Sequence, residues 1–240
     1  MLDFATVMYM MYTGVTGGMF LFNPQLPLRQ TFSDALAGEA YRVGLVYHEV
    51  VGMMNLVLLV GTCPGPKGYL MGSALFCSMM LKHILVDGLM PPPPVMALGA
   101  LSLLTSVYGV AKESNHGKWT FSLMNLLNAI VFLMNPGQPV QDSFPDVADG
   151  SRAYFIGSRL CEVIGVYALA QFLTNCPPPL GRAMAMSCLC ALVYKHDTVD
   201  NIGPPKPVLY MIMVTTAAQW LSFMSKKIGG SPSAVKAKDA

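Results

Sequence analysis

The chain has 240 residues, of which 53% are hydrophobic and only 12% charged, with a formal net charge of +2. A soluble domain carries about 25% charged residues, so this composition points to a membrane protein. Between the apolar stretches no connection exceeds about 20 residues, too little for a soluble catalytic domain, and no basic run suggests nucleic acid as a partner.

Apolar stretches long enough to cross a ~30 Å hydrocarbon core as helices fall at 4–22, 43–61, 70–86, 93–111, 119–134, 156–174, 183–194 and 207–224, which predicts about eight spans. The first reads as a true span rather than a cleavable signal, because no basic segment precedes it and Asn-Pro follows it. An irregular, proline-containing connection ending in Phe-x-Asp leads to the second, which carries Glu49. The third ends at Lys82-His83, and Pro91 to Pro94 start the fourth, where a missing N–H has no intrahelical partner to lose.

The next four spans repeat this plan. KHILVDGLMPPPPV (82–95) and KHDTVDNIGPPKPV (195–208) share eight of fourteen positions. At the same offset of 113, Glu49-Val-Val-Gly52 matches Glu162-Val-Ile-Gly165, and Cys63-Pro64 matches Cys176-Pro177. At an offset of 112, FLFNPQLPLRQTFSD (20–34) matches FLMNPGQPVQDSFPD (132–146). Such self-similarity marks a tandem duplication. It predicts an all-α membrane protein of two tandem four-helix bundles, 1–115 and 116–225, followed by a basic polar tail at 226–240. An even number of spans per half puts both in the same orientation, related by a pseudo-twofold axis along the membrane normal. Basic residues in short loops stay on the side that is not translocated. Lys67, Lys112, Lys118, Arg182, Lys226, Lys227, Lys236 and Lys238 therefore place both termini in the cytoplasm, matrix or stroma.

Charged groups inside spans carry information because they are costly there. Depths counted at 1.5 Å per residue bring Glu49 to Lys82 or His83, and Glu162 to Lys195 or His196. Arg159, three residues before Glu162, is a competing partner. These pairs read first as helix–helix clamps, since a carboxylate in low dielectric needs a partner; a proton relay or polar ligand pocket is the alternative. Asp87 and Asp200 are expected to cap the junction between the third and fourth helices of each half. His48 has no histidine counterpart. His83 and His196 correspond and raise haem or chlorophyll ligation as a further option. The six cysteines form no CxxC and predict neither a disulfide framework nor a metal site. The methionines read as packing residues, and GVTGG (14–18) as a surface for close helix approach.

In each half a Glu-Val-x-Gly helix, a helix ending in His, an Asp four residues later and a Pro-x-Pro-Val helix start form one pattern. It resembles the DoxX-like superfamily of four-span membrane proteins, especially the branch containing the nicotinic acetylcholine receptor chaperone. The matching residues are Glu49, Gly52, His83, Asp87 and Pro94, then Glu162, Gly165, His196, Asp200 and Pro207. The resemblance covers about 70 residues per half and implies a four-helix bundle. Some members are linked to thiosulfate–quinone oxidation, others to assembly of membrane complexes. The duplication departs from the family's usual single bundle.

Three functions follow as expectations. The first is a non-catalytic accessory or assembly subunit of a larger complex in an organellar inner membrane, mitochondrial or thylakoid. Its partners would be membrane lipids and other integral subunits, with bound lipid in place of a cofactor. The second is a DoxX-like protein handling a small molecule, quinone or proton through Glu49 and Glu162. The third is a pigment- or haem-binding subunit.

Overall fold

The computed structural model describes residues 3–63, 65–177 and 179–229. Those residues fold into ten helices, with no strand among them. They are α1 (Phe4–Phe22), α2 (Gln25–Thr31), α3 (Gly38–Val60), α4 (Pro66–Leu85), α5 (Pro93–Ala111), α6 (His116–Met134), α7 (Gly137–Ser143), α8 (Arg152–Leu173), α9 (Leu180–Thr198) and α10 (Lys206–Gly229). Five of them, α3, α4, α5, α8 and α10, are long and apolar enough to cross a membrane. The other long helices are diluted by polar residues, such as Asn125 and Asn128 on α6, or Arg182, Lys195 and Asp197 on α9. Of the expected basic tail, Lys226 and Lys227 are the last turns of α10; residues 230–240 lie outside the described residues.

The two proline-containing connections are not irregular. Each holds a seven-residue helix, α2 and α7. Asn23 leaves the helical region at φ −141°, and Pro24 restarts it at φ −62°. Asn135 and Pro136 do the same at −143° and −64°. Proline stops the preceding helix, because its ring disfavours helical backbone at the residue before it. Its own fixed φ then suits a helix start. Both effects come from one residue, and a reading that counts only the first sees a loop.

At the start of α1, Asp3 accepts a hydrogen bond from the Thr6 N–H at 2.7 Å, and Lys226 reaches the same carboxylate at 3.1 Å. Hydrogen bonding from Thr6, helped by Lys226, holds the Asp3 carboxyl well below the usual carboxylate range. Replacing Asp3 with Ala is expected to remove about 1 kcal/mol of stability at neutral pH. A depressed carboxylate stabilises fully above its unfolded value, about pH 4, and less as pH falls through the folded one. The gap between the melting temperatures of wild type and Asp3→Ala should therefore narrow below that pH; a gap independent of pH would contradict the assignment.

Packing runs as a closed circuit. α1 lies against α3 and α10; α3 against α4; α4 against α5 and α6; α5 against α6; α6 against α8; α8 against α9; and α9 against α10. α3 and α8 cross its centre against each other, and about two thirds of each apolar window is buried, 67% and 61%, against 22–33% for α4, α5 and α10. The helix opening each half of the sequence thus closes on the helix ending the other half. Polar ties add to this packing, one between α3 and α8 and others from α1 to α8 and from α3 to α7. Tyr12 and Tyr167 share a hydrogen bond of 2.6 Å, Gln171 donates to the Met54 carbonyl at 3.1 Å, and Tyr47 donates to the Pro139 carbonyl at 3.1 Å.

Small residues set the close crossings. A Cβ on Gly52 would stand 2.5 Å from the Leu21 nitrogen and 2.9 Å from the Gly17 carbonyl oxygen, so α1 and α3 meet backbone to backbone. The GVTGG surface is therefore a contact face, through Gly17; Gly18 has open space beside it.

Candidate functional site

Two clusters of ionised side chains form where α4 and α9 end. In the first, Lys82 on the last turn of α4 binds Glu49 on α3 and also Asp87, at 2.8 Å. His83 Nδ1 meets the Asp87 carboxylate at 2.7 Å. In the second, Lys195 binds Glu162, and His196 Nε2 meets Glu162 at 3.1 Å. Arg159 there bridges two carboxylates, with 2.7 Å to Glu162 and 3.0 Å to Asp200. All of the predicted ionic pairs are brought together, and Arg159 adds to the lysine pair rather than replacing it.

Asp87 and Asp200 are not caps. The last carbonyls of α4 accept from the following backbone, Asp87 N–H to Lys82 at 3.4 Å and Leu89 N–H to His83 at 2.9 Å. α9 closes the same way, through Asp200 and Ile202. This reversal needs a left-handed residue, supplied by Gly88 at φ 65° and by Asn201 at φ 52°, asparagine being the side chain most tolerant of that region after glycine. With the carbonyls satisfied by backbone, the reversal aims each aspartate back at the cations of its own helix end. Burial alone would raise the Asp87 carboxyl, but the hydrogen bonds from Lys82 and His83 outweigh it and hold it below the usual value.

Glu49, His83 and Asp87 each offer a ligand atom within 4.8 Å of the others, as do Glu162, His196 and Asp200. The donor types would suit a divalent ion. In both clusters, however, an ammonium or guanidinium of the chain already sits against these carboxylates and supplies the positive charge. The donor set therefore fits an internal salt bridge better than a metal.

Beside each cluster lies an apolar cavity. One, of about 90 Å3, is walled by α3, α4, the 89–95 segment, α6 and α7, with His83 in its lining. The other, of about 80 Å3, is walled by α8, α9, the 202–212 segment, α1 and α2, with His196 in its lining. Position by position the walls correspond: Phe76 to Leu189, Met79 to Leu192, Leu89 to Ile202, Pro92 to Pro205, Phe132 to Phe20 and Phe144 to Phe32. Each cavity thus borrows a wall from the opposite half, through its proline-started short helix. Sequence reasoning missed these residues. The signal is the repeated Asn-Pro…Pro…Phe stretch, whose first proline starts a short helix as well as stopping the one before it.

The cavities differ at their polar ends. Val46 lines the first where Arg159 lines the second. In the first, His83 is 7% exposed and its Nε2 is buried without a partner among the described residues, whereas the same atom of His196 is engaged by Glu162. Neither cavity has room for a tetrapyrrole macrocycle, so the haem or chlorophyll option does not fit the space around these histidines. His48, which lines the second cavity, is held by the Gly44 carbonyl at 2.7 Å. All six cysteines are free thiols.

In comparisons with known proteins, the chain matches no family model, no curated protein and no solved structure.

Proposed function

We propose that this protein holds small apolar molecules within the membrane, one in each of two equivalent cavities between its helices. The observation that carries this reading is the correspondence of the two linings, each bounded by the histidine of a Lys-His pair. Ligand sites are mostly apolar, with a few placed polar groups, and sit between helices of bundles. The ion clusters position the histidines and hold α3 to α4 and α8 to α9. Native mass spectrometry of the full chain released from nanodiscs tests this: the expected spectrum carries adducts of small organic mass, at most two per chain. A spectrum of bare protein that takes up no added apolar ligand would refute it.

The architecture proposed with it has eight spans, counting α1, α6 and α9 with the five strongly apolar helices. It would arise by tandem duplication of a four-helix unit, 1–115 and 116–225, about a pseudo-twofold axis along the membrane normal. Support comes from the shared succession of one long, one seven-residue and three long helices in the two halves and from α5 meeting α6 as α10 meets α1. Kinship to DoxX-like proteins rests on Glu49, Gly52, His83, Asp87 and Pro94 with their counterparts, and an organellar inner membrane with both termini on the matrix, stroma or cytoplasmic side is the matching location.

A second reading, an accessory or assembly subunit of a membrane complex, is favoured by the outward faces of α4, α5 and α10, whose apolar windows are 33%, 22% and 28% buried. Blue-native electrophoresis in mild detergent separates the two: a larger complex supports the subunit reading, and migration as a free small protein argues against it.

A further inference from the structure

The geometry points to the first cavity as a site for a membrane alcohol, whose O–H donates to His83 Nε2 while its apolar body leaves along the proline segment. This rests on the ligand-binding reading above and names the ligand's chemistry. His83 is held by two constraints. Its place on the last turn of α4 sets the ring against the cavity wall, and its Nδ1 is taken by the Asp87 carboxylate at 2.7 Å. A carboxylate only accepts, so Nδ1 carries the proton. In an uncharged imidazole that arrangement leaves Nε2 with a lone pair, and the atom is buried with no partner among the described residues. Buried polar atoms are nearly always satisfied, and the complement to a lone pair in an otherwise apolar wall is an O–H donor.

The rest of the ligand has a way out. Pro91, Pro92, Val95, Phe132 and Pro139 line both this cavity and an adjoining open groove of about 440 Å3. Met90 and Val131, also in the groove, are 60% and 47% exposed, and Asp142 stands at its edge, so the groove opens to the outside of the bundle with a mostly apolar wall. The cavity itself holds a head group and a few carbons, and a longer chain or ring system would lie in the groove. The second cavity lacks this chemistry, because Glu162 already engages His196 Nε2 at 3.1 Å.

The full chain in nanodiscs is photolabelled with hexadecanol bearing a diazirine on its chain, in competition with unlabelled hexadecanol or hexadecyl methyl ether. The ether keeps the shape and loses the O–H. Label is expected on the 89–95 segment, with the alcohol displacing it at least about tenfold more effectively than the ether, the effect of leaving one buried acceptor unpaired. His83→Phe should remove most of that labelling. The wild-type comparison of alcohol with ether stands even if that variant misfolds. A sterol and an isoprenoid quinol, added separately as competitors, distinguish the two membrane sources of such a head group. Equal displacement by ether and alcohol would overturn the alcohol assignment and leave ligand binding standing; label absent from both cavities would overturn both.

Discussion

Glu162→Gln is expected to destabilise the detergent-solubilised protein by about 2 kcal/mol, below the ~3–5 kcal/mol for a fully buried ion pair broken from one side because the Lys195 side chain is 42% exposed, and more than Glu49→Gln. The difference follows from counting charges. In the second cluster Arg159 and Lys195 face Glu162 and Asp200. Removing the Glu162 charge leaves two cations sharing Asp200, whose side chain is 7% exposed. In the first cluster Lys82 is the one lysine or arginine among the described residues that faces Glu49 and Asp87, and after Glu49→Gln it keeps Asp87 at 2.8 Å, beside His83. A loss of about 2 kcal/mol in a chain of this size lowers the melting temperature by roughly 4–8 °C. Adding Arg159→Met to Glu162→Gln should recover part of it, since one unpaired cation is then gone. Equal melting shifts for the two single glutamine variants would show that charge balance does not govern these clusters.

Gly52→Ala is expected to be a strongly damaging single-methyl change. The added carbon would stand 2.5 Å from the Leu21 nitrogen and 2.8 Å from the Phe20 carbonyl carbon. These are backbone atoms of α1, so relief requires the two helices to separate. Overpacking of this kind costs about 1–3 kcal/mol, occasionally more, and here the strain falls on the crossing that joins α1 to the centre. Gly165→Ala is the natural control. Its Cβ would meet side-chain carbons of Leu133 and Phe132 at 2.8–3.0 Å, and the Leu133 side chain can turn aside. Melting temperatures should therefore fall clearly more for Gly52→Ala than for Gly165→Ala. The reverse order would mean that α1 slides readily on α3.

Much of this was legible in the sequence. Glu49 and Lys82 could be matched in depth because helices rise by a constant amount per residue, and the repeat showed that the pairing is made twice. Gly17 was legible as a close-approach residue for a similar reason. What could not be read was which partner each residue meets beyond its own helix. Asp87 looked like a cap because aspartate beside a proline-rich start usually is one; only the left-handed Gly88 turns it back onto Lys82 and His83. The cavities were hidden for a different cause. Their linings combine residues such as Phe76 and Phe144, which lie far apart in the chain. Periodicity within one segment says nothing about a wall supplied by another. Arg159, by contrast, is no rival of Lys195, because a carboxylate has two oxygens and accepts from both.

The closing contact between α1 and α10 also bears on how the protein is made. A chain inserted from its N-terminal side delivers α1 long before α10, the helix that covers its outer flank. Until α9 arrives Thr6 lacks Arg182, and until α10 arrives the Ala5 carbonyl lacks Gln219. The intermediate on the way therefore lacks both ties, and the flank of α1 that α10 covers stays open. Closure of the circuit is set by the arrival of α10, and a chain cut before it cannot make the contact that joins the two ends.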